Sequence, residues 1–142
     1  MFRYLFKLCT YFLCGIGRCF RFSYEKISVI FNLYLQGGVL VLTGVLPFFA
    51  SCAAVIANPS LLNFATAIAM LGYATLYVTG FFLLLQRYPP RWFDSFDLCV
   101  KDLLKLCQLL HLSYMKLNLV IFVVWWIALI VVNLLLSYTL LP

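Results

Sequence analysis

Asp94, Asp97 and Asp102 are the only aspartates in the chain, and they fall within nine positions of one another. Clustered carboxylates are what general acid–base and cation sites are built from. Asp94 and Asp97 would share one face of a helix, which suits such chemistry. But Arg87, Arg91, Lys101 and Lys105 crowd the same segment. Carboxylates interleaved with cations read as a solvated, charge-balanced face rather than as a pair with perturbed proton affinity. The six cysteines, at positions 9, 14, 19, 52, 99 and 107, form no C-x-x-C pair. With His111 as the single histidine, no four-ligand zinc spacing or haem pair exists. The cysteines read as small apolar side chains, with Cys14 and Cys19 as candidate palmitoylation sites near a membrane edge. No catalytic residue, metal site or organic cofactor is expected.

The elements that must carry these residues are apolar. Of 142 residues, 66% are hydrophobic and 10% are charged, with a mean hydropathy of +1.09. A soluble domain has about 25% charged residues, so this chain belongs in a bilayer. The net charge of +6 lies beside hydrophobic stretches, where basic residues set topology and attract anionic headgroups. Nucleic acid and a small-molecule substrate are therefore not expected partners.

Residues 27–86 hold no Lys, Arg, Asp or Glu. They read as a transmembrane hairpin of two helices, since about 20 apolar residues cross the hydrocarbon core. The core of the first span is placed at 38–57, with Pro47 expected to kink it. Asn58-Pro59-Ser60 is a turn, where Pro59 cannot continue the first helix and Ser60 caps the next. A third span reads over 119–142. Before the first span stand five basic residues against one acid, a net of +4; between the second and third stand five against three, a net of +2. The turn at 58–60 and the C-terminus carry no charged side chain. The positive-inside rule then puts the N-terminus inside and the C-terminus outside.

Residues 1–26 read as a basic amphipathic interfacial segment, with Arg3, Lys7, Arg18 and Arg21 on headgroups and Gly15 and Gly17 interrupting the helix. No A-x-A-like site follows an apolar run, so the segment is expected to be retained. Residues 87–118 read as an interfacial elbow. Pro89-Pro90 breaks the helix, and an amphipathic helix follows over 93–112, capped by Asp94 or Ser95 and supported by an Asp97–Lys101 pair. The fold class is thus all-α integral membrane, with three transmembrane helices plus the N-terminal and 93–112 interfacial helices.

Helix packing is expected at small residues spaced four apart, Ala50 with Ala54 and Ala53 with Ala57 on the first span against Ala65 with Ala69 on the second, with Gly72 and Gly80 extending the smooth edge. Partner or lipid contacts are expected at Trp92, Arg87, Arg91, Trp125, Trp126 and Asn133. The last three place polar groups inside the bilayer, where each seeks a partner. No charged residue lies within a span, which argues against ion-coupled transport. The reading that follows is a non-catalytic accessory subunit of a membrane protein complex, with bound phospholipids and other membrane subunits as partners. The mitochondrial inner membrane is the location favoured by analogy of type. The alternative is a self-assembling viroporin-like pore or a membrane-shaping protein, because two interfacial helices wedge one leaflet.

Overall fold

A computed structural model describes residues 2–142, with side chains from residue 3. Among these the chain is helical throughout, without strands: α1 (Phe2–Cys19), α2 (Tyr24–Ala57), α3 (Leu61–Arg87), α4 (Trp92–Leu110) and α5 (Tyr114–Leu140). Three of them, α2, α3 and α5, are long and apolar enough to cross a membrane. At 1.5 Å per residue the 34 residues of α2 reach about 51 Å, well beyond a hydrocarbon core of about 30 Å. The 27 residues of α5, Tyr114–Leu140, begin five residues before the span read from sequence.

Local chemistry explains the helix ends. Ser23 Oγ accepts from Lys26 N at 3.3 Å and starts α2. Ser60 Oγ accepts from Asn63 N at 3.2 Å and starts α3, while Asn63 Nδ2 donates back to Asn58 O at 2.7 Å. The start of α4 differs from expectation. Arg91 holds the cap position without a side-chain bond, and Ser95 is buried, its hydroxyl donating to Pro89 O. The Pro-Pro elbow turns a carbonyl toward Ser95, so the serine fastens the elbow instead of the helix. Asp97 and Lys101 are both exposed, and the ion pair formed among the described residues is Arg87–Asp102. Nor do the glycines interrupt α1. Gly15 faces open space, and Gly17 allows Phe22 O to come within 3.1 Å of where a Cβ would stand.

The chain divides into two compact units, Met1–Gln36 with Leu84–Trp126, and Gly37–Leu83 with Ile127–Pro142. The first unit is a repeat. Residues 2–36 and 92–126 fold alike at a constant offset of 90: an amphipathic helix, a turn, and the start of a span. Both amphipathic helices stop at a residue with positive φ, Arg21 at 55° and His111 at 52°. Both are closed by the same bond, Phe22 N to Gly17 O at 2.8 Å and Leu112 N to Cys107 O at 3.1 Å. Both spans open with Ser-Tyr-x-Lys, at 23–26 and 113–116. Both then widen into a π segment, Ile30–Leu35 and Val120–Trp125. Burial follows the same offset, with Leu13 and Leu103, Ile27 and Leu117, and Val29 and Leu119 all in the core. Helix α1 packs on the starts of α2 and α5, and so does α4. Phe6 meets Tyr114 edge-on at 6.5 Å, and its counterpart Phe96 meets Tyr24 at 6.1 Å.

In the second unit the buried face of α2 is Gly37, Gly44, Pro47, Ala50 and Ser51, at helical spacing. Gly37 lies under the ring of Phe81 and Gly44 under that of Tyr77; a Cβ at either would collide with the ring. Close approach of α2 and α3 therefore comes from glycine under an aromatic ring. Of the small residues expected to make it, Ala50 is buried and Ala54 half-buried. Ala57, Ala65, Ala69, Gly72 and Gly80 are exposed, and Ala74 is the buried small residue of α3.

Candidate functional site

The second unit contains an uncharged polar cluster within its apolar helices. Asn133 of α5 is 0% exposed. Its Oδ1 accepts from Tyr73 OH at 2.7 Å and Tyr77 OH at 3.1 Å, and its Nδ2 donates to Thr43 Oγ1 at 3.2 Å. The two tyrosine hydroxyls are 3.0 Å apart. This corrects the expectation that Asn133 contacts a partner: one residue from α2, two from α3 and one from α5 close its hydrogen bonds inside the chain. In hydrocarbon an amide left unpaired is costly, so three helices are tied at one level. The i,i+4 spacing of Tyr73 and Tyr77 in a span was the sequence signal for this cluster. No proton-transfer group other than the two phenols is part of it.

The first unit holds a second constellation, at the elbow. Arg87 Nη2 contacts Asp102 Oδ2 at 3.0 Å, and Tyr88 OH donates to the same oxygen at 3.0 Å. Tyr34 OH donates to Tyr88 O at 2.8 Å. Desolvation pushes the Asp102 carboxyl up, but the hydrogen bonds from Tyr88 and Arg87 and the guanidinium charge outweigh it and leave it below its ordinary value. Burial, helped by the bond to Asp102, pushes Tyr88 up to about 12, and burial pushes the Cys99 thiol up to about 11. Groups held in their neutral forms beside a satisfied carboxylate make a structural clasp. Asp94 and Asp97 remain exposed and outside it. Among the described residues, no three His, Cys, Asp or Glu side chains gather as a metal cluster would require, and the six cysteines are free thiols.

Trp92 is half-buried, edge-on to Tyr34 at 6.0 Å, with Lys26 Nζ 5.4 Å from its ring. Arg91 is exposed, as are Arg3, Lys7, Arg18 and Arg21. Trp125 is 60% exposed and Trp126 half-buried. Helix α1 has three surfaces. One packs inward through Leu5, Phe6, Cys9, Leu13 and Gly17, the second carries Arg3, Lys7 and Arg18, and the third is an exposed strip of Tyr4, Leu8, Tyr11 and Phe12.

Between the two repeats of the first unit lies a cavity of about 620 Å³. Equivalent residues of the two repeats line it: Phe6 and Phe96, Leu13 and Leu103, Tyr24 and Tyr114. None of its lining residues is charged. Sequence reading missed it because it depends on pairing segments 90 positions apart. Compared with protein-family models, curated proteins and solved structures, the chain matches none.

Proposed function

We propose that this protein is a non-catalytic structural membrane protein that acts on lipid in one leaflet, spanning the bilayer through α2, α3 and α5 with its N-terminus inside. The observation that carries this reading is the third surface of α1. Tyr4 and Tyr11, 73% and 75% exposed, stand with Leu8 and Phe12 beside a basic stripe free of acids. An apolar, aromatic strip bordered by cations suits the boundary between anionic headgroups and acyl chains. A helix seated there adds area to one leaflet and favours curvature. Phospholipids are its partners in this reading.

A nitroxide at Tyr11 in bilayers tests it. Collision with oxygen should exceed collision with a water-soluble nickel chelate, as at headgroup depth. Full access of the chelate would overturn the placement of α1. Membrane shaping is then read from electron micrographs of protein-loaded vesicles, where tubules are expected and unchanged spheres at high loading count against it.

A second reading, an accessory subunit of a larger membrane complex of the respiratory or ATP-synthase kind, is favoured by the exposed Trp125. Its indole N–H makes no hydrogen bond among the described residues, and a neighbouring subunit would supply the acceptor. Replacing Trp125 by Leu would release the protein from such a complex on a native gel, while Asn133, closed inside the chain, would not act there directly.

A further inference from the structure

We infer that the cavity between the two repeats holds one acyl chain of an anionic phospholipid, whose head stays outside at the basic stripe of α1. This rests on the placement of α1 in the headgroup layer and carries it further, from a surface that touches lipid to a site for one lipid molecule. The mouth of the cavity follows from exposure. Among the described residues that line it, the exposed ones are Leu8, Tyr11 and Phe12, all on α1. Those that α4 contributes, Phe96, Cys99, Val100 and Leu103, are half-buried or buried. The equivalents of the exposed three in the second repeat, Leu98, Lys101 and Asp102, lie outside the described lining. The opening is therefore one-sided, along the lipid-facing strip of α1. Phe12 meets Phe31 of α2 edge-on at 6.0 Å and carries that strip onto the inner wall.

The depth fits one leaflet. The lining runs along α2 from Tyr24 to Gln36 and along α5 from Tyr114 to Val123. At 1.5 Å per residue these stretches measure about 18 Å and about 14 Å, against about 15 Å for half of a hydrocarbon core. The volume, about 620 Å³, lies in the range of about 300–1,000 Å³ typical of ligand sites. The wall suits a chain and not a head. No Lys, Arg, Asp or Glu lines it. Thr10 Oγ1 donates to Phe6 O at 3.0 Å, Asn32 Nδ2 to Ser28 Oγ at 3.1 Å and Gln36 Nε2 to Phe122 O at 2.9 Å, so these donors are turned to the protein. An apolar cavity left empty loses dispersion contacts along its wall, and water finds few partners there. A lipid tail is as apolar as the wall, so a chain enters from the leaflet without a solvation penalty. A charged head would lose its hydration inside and stays at the rim. There Lys7 stands next to Leu8 and one helical turn from Tyr11, Arg3 stands one turn before Lys7, and α1 has no acid. Cations at that level select an anionic head.

The test uses the full chain in phosphatidylcholine vesicles with a trace of phosphatidylglycerol bearing a diazirine midway along one acyl chain. The matching phosphatidylcholine probe is the comparator, and adducts are mapped by mass spectrometry. Phosphatidylglycerol should label the back wall, in segments 96–103 and 114–123, and saturate at one lipid per chain. Its half-saturating mole fraction should be lower than the comparator's by about a factor of ten or more, as two interfacial cations supply. In the double variant Arg3→Gln, Lys7→Gln the preference should vanish while wall adducts persist, which shows the cavity still formed. Val100→Phe, narrowing the wall, should abolish wall adducts and leave the depth of a nitroxide at position 11 unchanged. Adducts confined to the strip of α1 would overturn the site and leave α1 in the headgroup layer. Labelling of the wall that never saturates would overturn the single bound molecule, and equal labelling by the two probes would overturn the anionic head. Undiminished wall adducts in Val100→Phe would overturn the cavity as their source. Failure of the underlying placement shows separately, as full access of the nickel chelate to position 11, and overturns the site with it.

Discussion

The two repeats of the first unit share a backbone and differ in almost everything they show outside. Only seven of 35 aligned residues are identical between 2–36 and 92–126. The shared residues include Phe6 and Phe96, Leu13 and Leu103, and the Ser-Tyr-x-Lys at each span start, and they are where the repeats touch or turn. Elsewhere the surfaces have parted. Helix α1 has three basic residues and no acid, beside exposed aromatics; α4 has three acids and two lysines, and is clasped at the elbow by Arg87 and Tyr88. The difference teaches that a few inward residues suffice to hold a helix–turn–span unit, leaving the outward face free for another medium. Here one face suits headgroups and the other suits water.

The deepest test of that comparison is the shared core. Leu13→Ala and Leu103→Ala should each destabilise the protein by about 2–5 kcal/mol, and by similar amounts, since both leucines are equally buried. Thermal unfolding in micelles measures this, and a large inequality would break the equivalence of the repeats. The outward faces should respond unequally. Reversing Arg3, Lys7 and Arg18 to Glu should weaken contact with anionic lipid by about 1 kcal/mol per charge removed, read as a fall in co-purified anionic phospholipid. Reversing Lys101 and Lys105 should leave it near the unsubstituted level.

Smaller still is the effect at the two turns. Arg21 and His111 hold a left-handed backbone that costs a side-chain-bearing residue about 1 kcal/mol. Arg21→Gly and His111→Gly should each raise the melting temperature, and a fall in either would show that the side chain has another role. The smallest effect is on pH. Asp102 is held below its ordinary value, so its contribution is present above the unfolded carboxyl value and is lost as pH falls through the lower, folded one. Cys99, pushed up to about 11, works in the opposite sense: its contribution holds below the ordinary thiol value and fades as pH rises toward 11. Asp102→Asn should flatten the acid limb of melting temperature against pH and change the alkaline limb less, through the smaller part that the Asp102 charge plays in holding Cys99 and Tyr88 up. Repeat one has no counterpart of the clasp, so substitution at Phe12, the position equivalent to Asp102, should alter neither limb.

Much of this molecule was legible in its residues. Long uncharged runs yield the three helices able to span, because only a helix satisfies its own backbone without water. The Asn58–Ser60 turn and the Pro89-Pro90 break were readable because proline and capping side chains act within a few residues. Composition likewise marked α1 and α4 as amphipathic. The Ser-Tyr-x-Lys echo at 23–26 and 113–116 was visible too, but with so few identities it became a repeat only when both copies adopted the same turns and π segments.

What the tertiary structure alone decided is which side chains meet. Spacing four apart made Ala65 and Ala69 candidates for packing, with Gly72 and Gly80 extending their edge, yet a small residue permits close approach without requiring it. The rings of Phe81 and Tyr77 settled instead over Gly37 and Gly44. Asn133 looked like a group in need of a partner, because periodicity cannot reveal that Thr43, Tyr73 and Tyr77 reach it from 90, 60 and 56 positions away. The cavity between the repeats has the same origin. Local sequence determines helices through contacts of three or four residues, whereas a cavity is what remains when distant helices have finished packing.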